Sequence, residues 1–265
     1  MPAGARKLTP EPGRSGRARI APDQRQRLAP GLTIGADYRL ERPLGRRGRV
    51  WLATDASGLQ VALKSGPRAA LAEEHAAVAA LAHPNILAVK ELIDVEAGCF
   101  SVAEYLPGGD LVSLAGLHAR HWLRAVGALI DALEYLHGRG LVHRDLKPRN
   151  VMLDEGENAR LIDFGSALPV GSAWSRGGTT VVPPARGSDP VTFGDDLFAL
   201  ASLLHELLHG VPAGHAPRRP VPAGSMELAR LVDSWLATEV ESGRPDLLQF
   251  RAVIKSMGMD QGISA

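Results

Sequence analysis

The run His143-Arg144-Asp145-Leu146-Lys147-Pro148-Arg149-Asn150, followed eighteen residues after Asp145 by Asp163-Phe164-Gly165, constrains this chain more than any other stretch. It supplies two carboxylates, a carboxamide and a lysine, a set that can hold magnesium, a phosphate chain and a hydroxyl nucleophile together. Phosphoryl transfer asks for little more, because its transition state spreads charge over the moving group and the protein contributes positioning and electrostatic stabilisation. A three-residue Asp-Phe-Gly arises often by chance. An eight-residue match at a fixed separation from it does not.

A chain of 265 residues is long enough for one large domain or two lobes about a cleft. Its hydrophobic fraction of 45% and charged fraction of 22% are those of a soluble globular protein. The net charge of +1 gives no argument for nucleic acid or an anionic membrane. Cys99 stands alone, which excludes an intramolecular disulfide and a cysteine metal cluster and points to a reducing cytoplasm. With no long apolar run and no signal-peptide core, no membrane span is expected. The abundance of Ala, Arg, Gly and Pro suggests a GC-rich bacterial genome.

Residues 1 to 33 are rich in Pro, Gly and Arg and read as a disordered tail. The tail carries seven basic residues against Glu11 and Asp23, so it is either a solvated leader or an electrostatic arm for an acidic partner. Residues 34 to 258 form the folded unit, with a short tail over 259 to 265. Strands are predicted at Tyr38–Leu44, Val50–Thr54 and Gln60–Lys64, a helix at Ala69–Ala82, and further strands at Ile86–Asp94 and Cys99–Glu104. After the turn Pro107-Gly108-Gly109 the chain becomes helical, with candidates at Trp122–His137, Asp195–Leu208 and Met226–Ala237.

The two motifs resemble the catalytic loop and metal-binding segment of eukaryotic-type (Hanks-type) serine/threonine protein kinases, over roughly residues 38 to 255. The resemblance implies an α+β, bilobal fold: a small antiparallel sheet with one helix, then a mainly helical lobe. It implies a kinase that moves the γ-phosphate of ATP to Ser/Thr hydroxyls of a protein substrate, with Mg2+ (or Mn2+) and no nucleic-acid partner. Asp145 would be the general base and Lys147 would sit over the transferred phosphate, as in serine/threonine rather than tyrosine enzymes. Asn150 and Asp163 would hold the metal through oxygen. Lys64, in Val61-Ala62-Leu63-Lys64, would contact the α- and β-phosphates, steadied by Glu74, nine residues before His83-Pro84-Asn85-Ile86. In Val102-Ala103-Glu104-Tyr105-Leu106, backbone groups of Glu104 and Leu106 would meet the adenine edge, between Val50, Ala62 and Leu153. Asp110 would contact ribose, and Ala103 would leave the space behind the adenine open. Leu44, Gly45 and Gly48 would cover the phosphates. Asp196 would anchor the catalytic loop, and Arg144 would meet a phosphorylated loop carrying Ser166, Ser172, Ser175, Thr179 and Thr180.

Three departures stand out. Leu44-Gly45-Arg46-Arg47-Gly48-Arg49-Val50 is about two residues shorter than the family's glycine loop and one glycine short, so its arginines either replace backbone contacts or are merely solvated. The interval from Lys64 to Glu74 is short. Pro183-Pro184-Ala185 lacks the family's glutamate, leaving Arg244 without it unless an acid such as Asp189 takes its place. A pseudokinase scaffold that binds nucleotide weakly or not at all is the alternative, although such proteins usually lose one of the three groups Asp145, Asp163 and Lys64. A small-molecule phosphotransferase of the same fold is disfavoured by Lys147.

Overall fold

The computed structural model describes residues 28–45, 47–174, 190–215, 219–221, 224–237 and 247–260. The first lobe is a six-stranded antiparallel sheet of β1 (Thr33–Ile34), β2 (Tyr38–Leu44), β3 (Val50–Thr54), β4 (Gln60–Gly66), β5 (Val89–Val95) and β6 (Gly98–Glu104), in the order β1-β2-β3-β4-β6-β5. Side chains alternate across a strand, and here the alternation sorts chemistry. Trp51, Ala53, Val61, Leu63, Phe100 and Val102 fill a small apolar core on one face. The intervening Val50, Ala62, Lys64 and Ala103 therefore turn to the other face.

Helix α1 (Arg68–Ala79) packs on this sheet, burying Leu71 and Val78. It starts directly after Pro67, with β4 extended to Gly66, so strand and helix follow one another almost without a break across the short interval from Lys64. The strand expected from Ile86 begins only at Val89, because Ile86 pairs instead with Leu161 of the other lobe.

Residues 28–33 correct the expected tail boundary. Leu28 and Leu32 pack on the small core, Ile34 is fully buried, and Gly31 N donates to Leu40 O at 2.7 Å. Residues 1–27, with the proposed basic arm, lie outside the described residues.

The second lobe is built on α2 (Leu123–His137) and α3 (Phe193–His209), with α4 (Met226–Ala237) and α5 (Leu247–Asp260) against them. Helix α3 is buried almost all round, as a helix at the centre of a lobe must be. Between α2 and α3 lie β7 (Leu141–Val142), a 3-10 turn at Pro148–Asn150, β8 (Val151–Leu153), β9 (Ala159–Leu161) and β10 (Leu168–Pro169). Pairs β8–β9 and β7–β10 hold the loops that carry the motifs. The sequence reading missed α5, which runs to Asp260 and so overlaps the expected tail from 259. A strut joins the lobes: Leu87 N donates to Leu161 O at 3.0 Å and Leu161 N to Asn85 O at 2.8 Å.

Candidate active site

The loop after β7 is shaped by a carboxylate on the central helix. Asp196, in the first turn of α3 and fully buried, accepts from His143 N at 2.9 Å and Arg144 N at 2.8 Å. Its Oδ2 also meets His137 Nε2 at 2.9 Å, a partner 59 positions away that no sequence motif marks. Arg144 sits at φ 67°, in the left-handed region that costs a non-glycine residue about 1–3 kcal/mol. Two amide bonds to a buried charge offset that, at about 1.5–3 kcal/mol each.

His143 is fully buried, with its ring edge-on to Phe164 at 4.8 Å. Burial depresses its pKa against the opposing pull of Asp196, Asp145 and Asp163, so the ring is neutral. Nδ1 accepts from Asp145 N at 3.3 Å, which leaves Nε2–H to donate to Ile162 O at 3.2 Å. One imidazole thus fixes the loop of Asp145 to the segment of Asp163.

Asp145 is buried in its loop. Its Oδ2 accepts from Lys147 Nζ at 2.7 Å and from Asn150 Nδ2 at 2.9 Å, and Asn150 Nδ2 also reaches Asp145 O at 2.9 Å. With its amide hydrogens directed at Asp145, Asn150 has its carboxamide oxygen left for a hard cation. Asn150 O accepts from Ile162 N at 2.9 Å, so Asp163 follows one residue from that contact.

Lys64 reaches across from β4. Its Nζ bonds Glu74 Oε1 at 2.8 Å, Glu74 Oε2 at 2.7 Å and Asp163 Oδ1 at 2.8 Å. Glu74 and not its neighbour Glu73 makes this contact, sharing a helix face with Leu71 and Val78. Burial pushes the ammonium down, but Asp163 and Glu74 together outweigh it and raise its pKa above the usual lysine value. Burial raises Asp163 as well, yet Lys64 holds it below the usual carboxylate range. For Glu74 burial wins, and its pKa is raised. Asp163 also has positive φ, 66°, so both motifs turn through strained backbone at the residue beside or bearing the acid. The pair Asp163 and Asn150 presents oxygens of the kind magnesium takes, which fits a metal site among the described residues.

The residues expected around a nucleotide lie on β3, β4, β6 and β8 or just after them. Val50 lies opposite Lys64 in the β3–β4 register and Ala62 opposite Ala103 in β4–β6. Ala103 and Leu106 are buried, and Leu153 is buried on β8. Glu104 accepts from Ala88 N at 2.8 Å through its side chain and donates its own N–H to Ala88 O at 3.1 Å, so of its polar groups the carbonyl is the one expected at an adenine edge. Asp110 caps the following 3-10 turn through Val112 N at 3.1 Å, so the group expected at ribose also has a local structural duty. Gly108 lies so close to β8 that a Cβ there would meet Leu153 O and Asp154 O at 2.8 Å.

Leu44 and Val50 close the β2–β3 hairpin over Gly45 (φ 81°) and Gly48 (φ 60°), and Trp51 Nε1 ties Gly48 O at 3.0 Å. Arg46 lies outside the described residues, as do Ser175, Thr179, Thr180, Pro183-Pro184-Ala185, Asp189 and Arg244. Arg144 turns its guanidinium to Ser166 O at 3.3 Å and lies 5.9 Å over the Trp174 ring.

Residues 44–226 match the family model described as "Protein kinase domain". A CBL-interacting protein kinase 4 of Oryza sativa subsp. japonica is 40% identical over 159 residues, 52% of this chain and 35% of that protein. A cGMP-dependent protein kinase, isozyme 1, of Drosophila melanogaster is 42% identical over 100 residues, 35% of the chain and 13% of the protein. A 3-phosphoinositide-dependent protein kinase 1 of Arabidopsis thaliana is 31% identical over 153 residues, 49% and 30%. The matches cover about a third of these relatives' length or less. Being plant and insect proteins, they lend no support to the bacterial origin expected from composition. The family match runs from the end of β2 through β3 to β6, α1 and the motif-bearing loops to the start of α4, and the chain belongs to the protein kinase domain family.

Proposed function

We propose that this chain is a serine/threonine protein kinase that transfers the γ-phosphate of ATP to a hydroxyl of a protein substrate. The observation that carries this reading is that two charge clusters meet where the sheet lobe and the helical lobe join. Lys64, Glu74 and Asp163 meet within 2.8 Å contacts, and Asp145, Lys147 and Asn150 meet within 2.9 Å contacts. His143 and the Ile162–Asn150 bond join the two.

Asp145 orients the incoming hydroxyl and accepts its proton late in transfer, through a carboxylate that Asn150 and Lys147 already position. Lys147, paired with Asp145, turns to the transferred phosphate. Lys64 pairs the α- and β-phosphates, held by Glu74. Asp163 and Asn150 would hold Mg2+, which supplies charge neutralisation of the phosphate oxygens when bound. Val50, Ala62 and Leu153 sandwich the adenine, Glu104 and Leu106 meet its edge through backbone, and Asp110 contacts ribose. The presence of Lys147 favours serine or threonine over tyrosine. The catalytic unit runs from residue 28 to about residue 260.

Transfer of radiolabelled phosphate from ATP to a generic protein substrate tests the reading. Wild type incorporates label, and Asp145→Asn and Lys64→Met lose it by at least about a hundredfold, the scale of one acid–base or electrostatic group. Nucleotide binding with no transfer by wild type would make the chain a scaffold and overturn the proposal.

A further inference from the structure

A cavity of about 860 Å³ lies away from the cleft, between α2, α5 and the β8–β9 turn. Such a volume is that of sites for small organic ligands. On α2 it is lined by Leu123, Gly127 and Ile130 and on α5 by Ile254 and Gly258, residues spaced three, four or seven apart and so on facing stripes. The small residues create the concavity. Gly127 sits in mid-helix, where glycine costs roughly 1 kcal/mol against alanine, yet an added Cβ would meet nothing within 4 Å. Nothing in the packing of the free protein requires its absence.

The charges at the rim are unbalanced. Arg251 is committed to Asp131 at 2.6 Å and to Glu134 at 2.9 Å, which also neutralises the cavity's acid. Arg124 and Lys255 remain. Arg124 reaches only the neutral Asn158 Oδ1, at 3.2 Å, and among the described residues neither cation pairs with a carboxylate. An apolar trough with two unspent positive charges at its edge complements a ligand with a hydrocarbon body and one anionic end.

We propose that this cavity binds a small amphipathic carboxylate of the fatty-acid type, its chain along the Gly127 face and its carboxylate at Arg124 and Lys255. The site is separate from the cleft and does not depend on the kinase reading.

The test is fluorescence titration of the full chain with dansyl-undecanoate, followed by competition. Saturable binding is expected, displaced by decanoate but not by decanol or decyltrimethylammonium. Gly127→Phe fills the trough and abolishes binding. Arg124→Ala with Lys255→Ala weakens binding about tenfold, as expected for two partly exposed charges, and as a surface change it guards against a folding artefact in the first variant. Unchanged urea midpoints in the variants localise the effect. Absent or unsaturable binding, equal competition by the cationic amphiphile, or undiminished binding by the charge variant in its folded state would each overturn the proposal. So would displacement by an acidic amphipathic peptide but not by decanoate, which would assign the groove to a protein partner.

Discussion

Replacing Asp196 tests how the catalytic loop is held, independently of what the loop does. Its carboxylate has no contact with solvent and serves three donors: His143 N and His137 Nε2 on one oxygen, Arg144 N on the other. Asp196→Ala orphans two buried amides, each worth about 1.5–3 kcal/mol when bonded to a charge, so roughly 3–6 kcal/mol of stability is lost. That is a large part of the roughly 5–15 kcal/mol available to a domain. Asp196→Asn is the sharper probe. With its oxygen kept at Arg144 N, its amide can donate to His137 Nε2 if that ring changes tautomer, and one orphan remains at His143 N. The expected cost is about half that of alanine, roughly 1.5–3 kcal/mol. Urea unfolding at neutral pH reads it as a midpoint shift of about 1 M at a slope near 2 kcal/mol/M. The exposed Asp233→Asn serves as control and stays within about 0.5 kcal/mol of wild type. Hydrogen exchange locates the damage, the His143 amide losing protection in the asparagine variant. An Asp196→Asn midpoint equal to that of Asp233→Asn, or equal to that of Asp196→Ala, would refute the three-donor account.

Three further outcomes are expected. His143 has its folded pKa depressed by burial, so the unfolded chain takes up the proton first; the stability it contributes is present above about pH 6.5 and is lost as pH falls towards the folded value. In His143→Phe the slope of stability against pH should fall progressively below about pH 6.5, by at most one proton or about 1.4 kcal/mol per pH unit, and parallel slopes for the two proteins would count against burial of a neutral ring. Gly108→Ala should destabilise by roughly 1–3 kcal/mol, because its Cβ meets backbone oxygens of Leu153 and Asp154 at 2.8 Å; a thermal midpoint unchanged by the substitution would mean the hinge moves freely off β8. Purine inhibitors with bulky substituents should bind wild type far better than Ala103→Phe, since Ala103 faces Ala62 across the sheet with no larger side chain between, and equal inhibition of both would close that space.

The parts of this fold that were legible in the sequence are those with a period. Strands β2 and β3 and helix α4 begin and end where the alternation and the 3.6-residue pattern place them. Lys64, Glu74, Asp145, Asn150 and Asp163 were found because each sits in a motif with fixed spacing. Two-residue strands such as β7 and β10 have no period to read, and they exist only because each supplies the other's partners. Ile34 opens the expected folded unit, but strand β1 is two residues long and follows a Pro/Gly/Arg segment, so only its fully buried side chain and its pairing with β2 reveal it. Helix α5, inside the expected folded unit, carries a stripe, Phe250, Ile254 and Met257 at i, i+4 and i+7, but that stripe is short and starts only after Gly243-Arg244-Pro245. His137 on Asp196 and the positive φ of Arg144 and Asp163 are long-range consequences that no local window contains.

The two halves of the site hang on different lobes, which decides how its variants must be interpreted. Lys64 and Glu74 belong to the sheet lobe; Asp145, Asn150 and Asp163 belong to the helical lobe. Lys64→Met removes the proposed phosphate contact and also the cation between Glu74 and Asp163, leaving two carboxylates facing each other without it. Both carboxylates would then titrate upward, and the contact between the lobes that Lys64 makes would weaken along with any chemistry. Asp145→Asn is different in kind. The Asp145 backbone contacts to Asn150 and His143 persist, and an oxygen remains to accept from Lys147 or Asn150. What disappears is the carboxylate proposed as the base. An activity lost in Lys64→Met can therefore have a structural origin, whereas one lost in a folded Asp145→Asn, with nucleotide affinity intact, isolates the base.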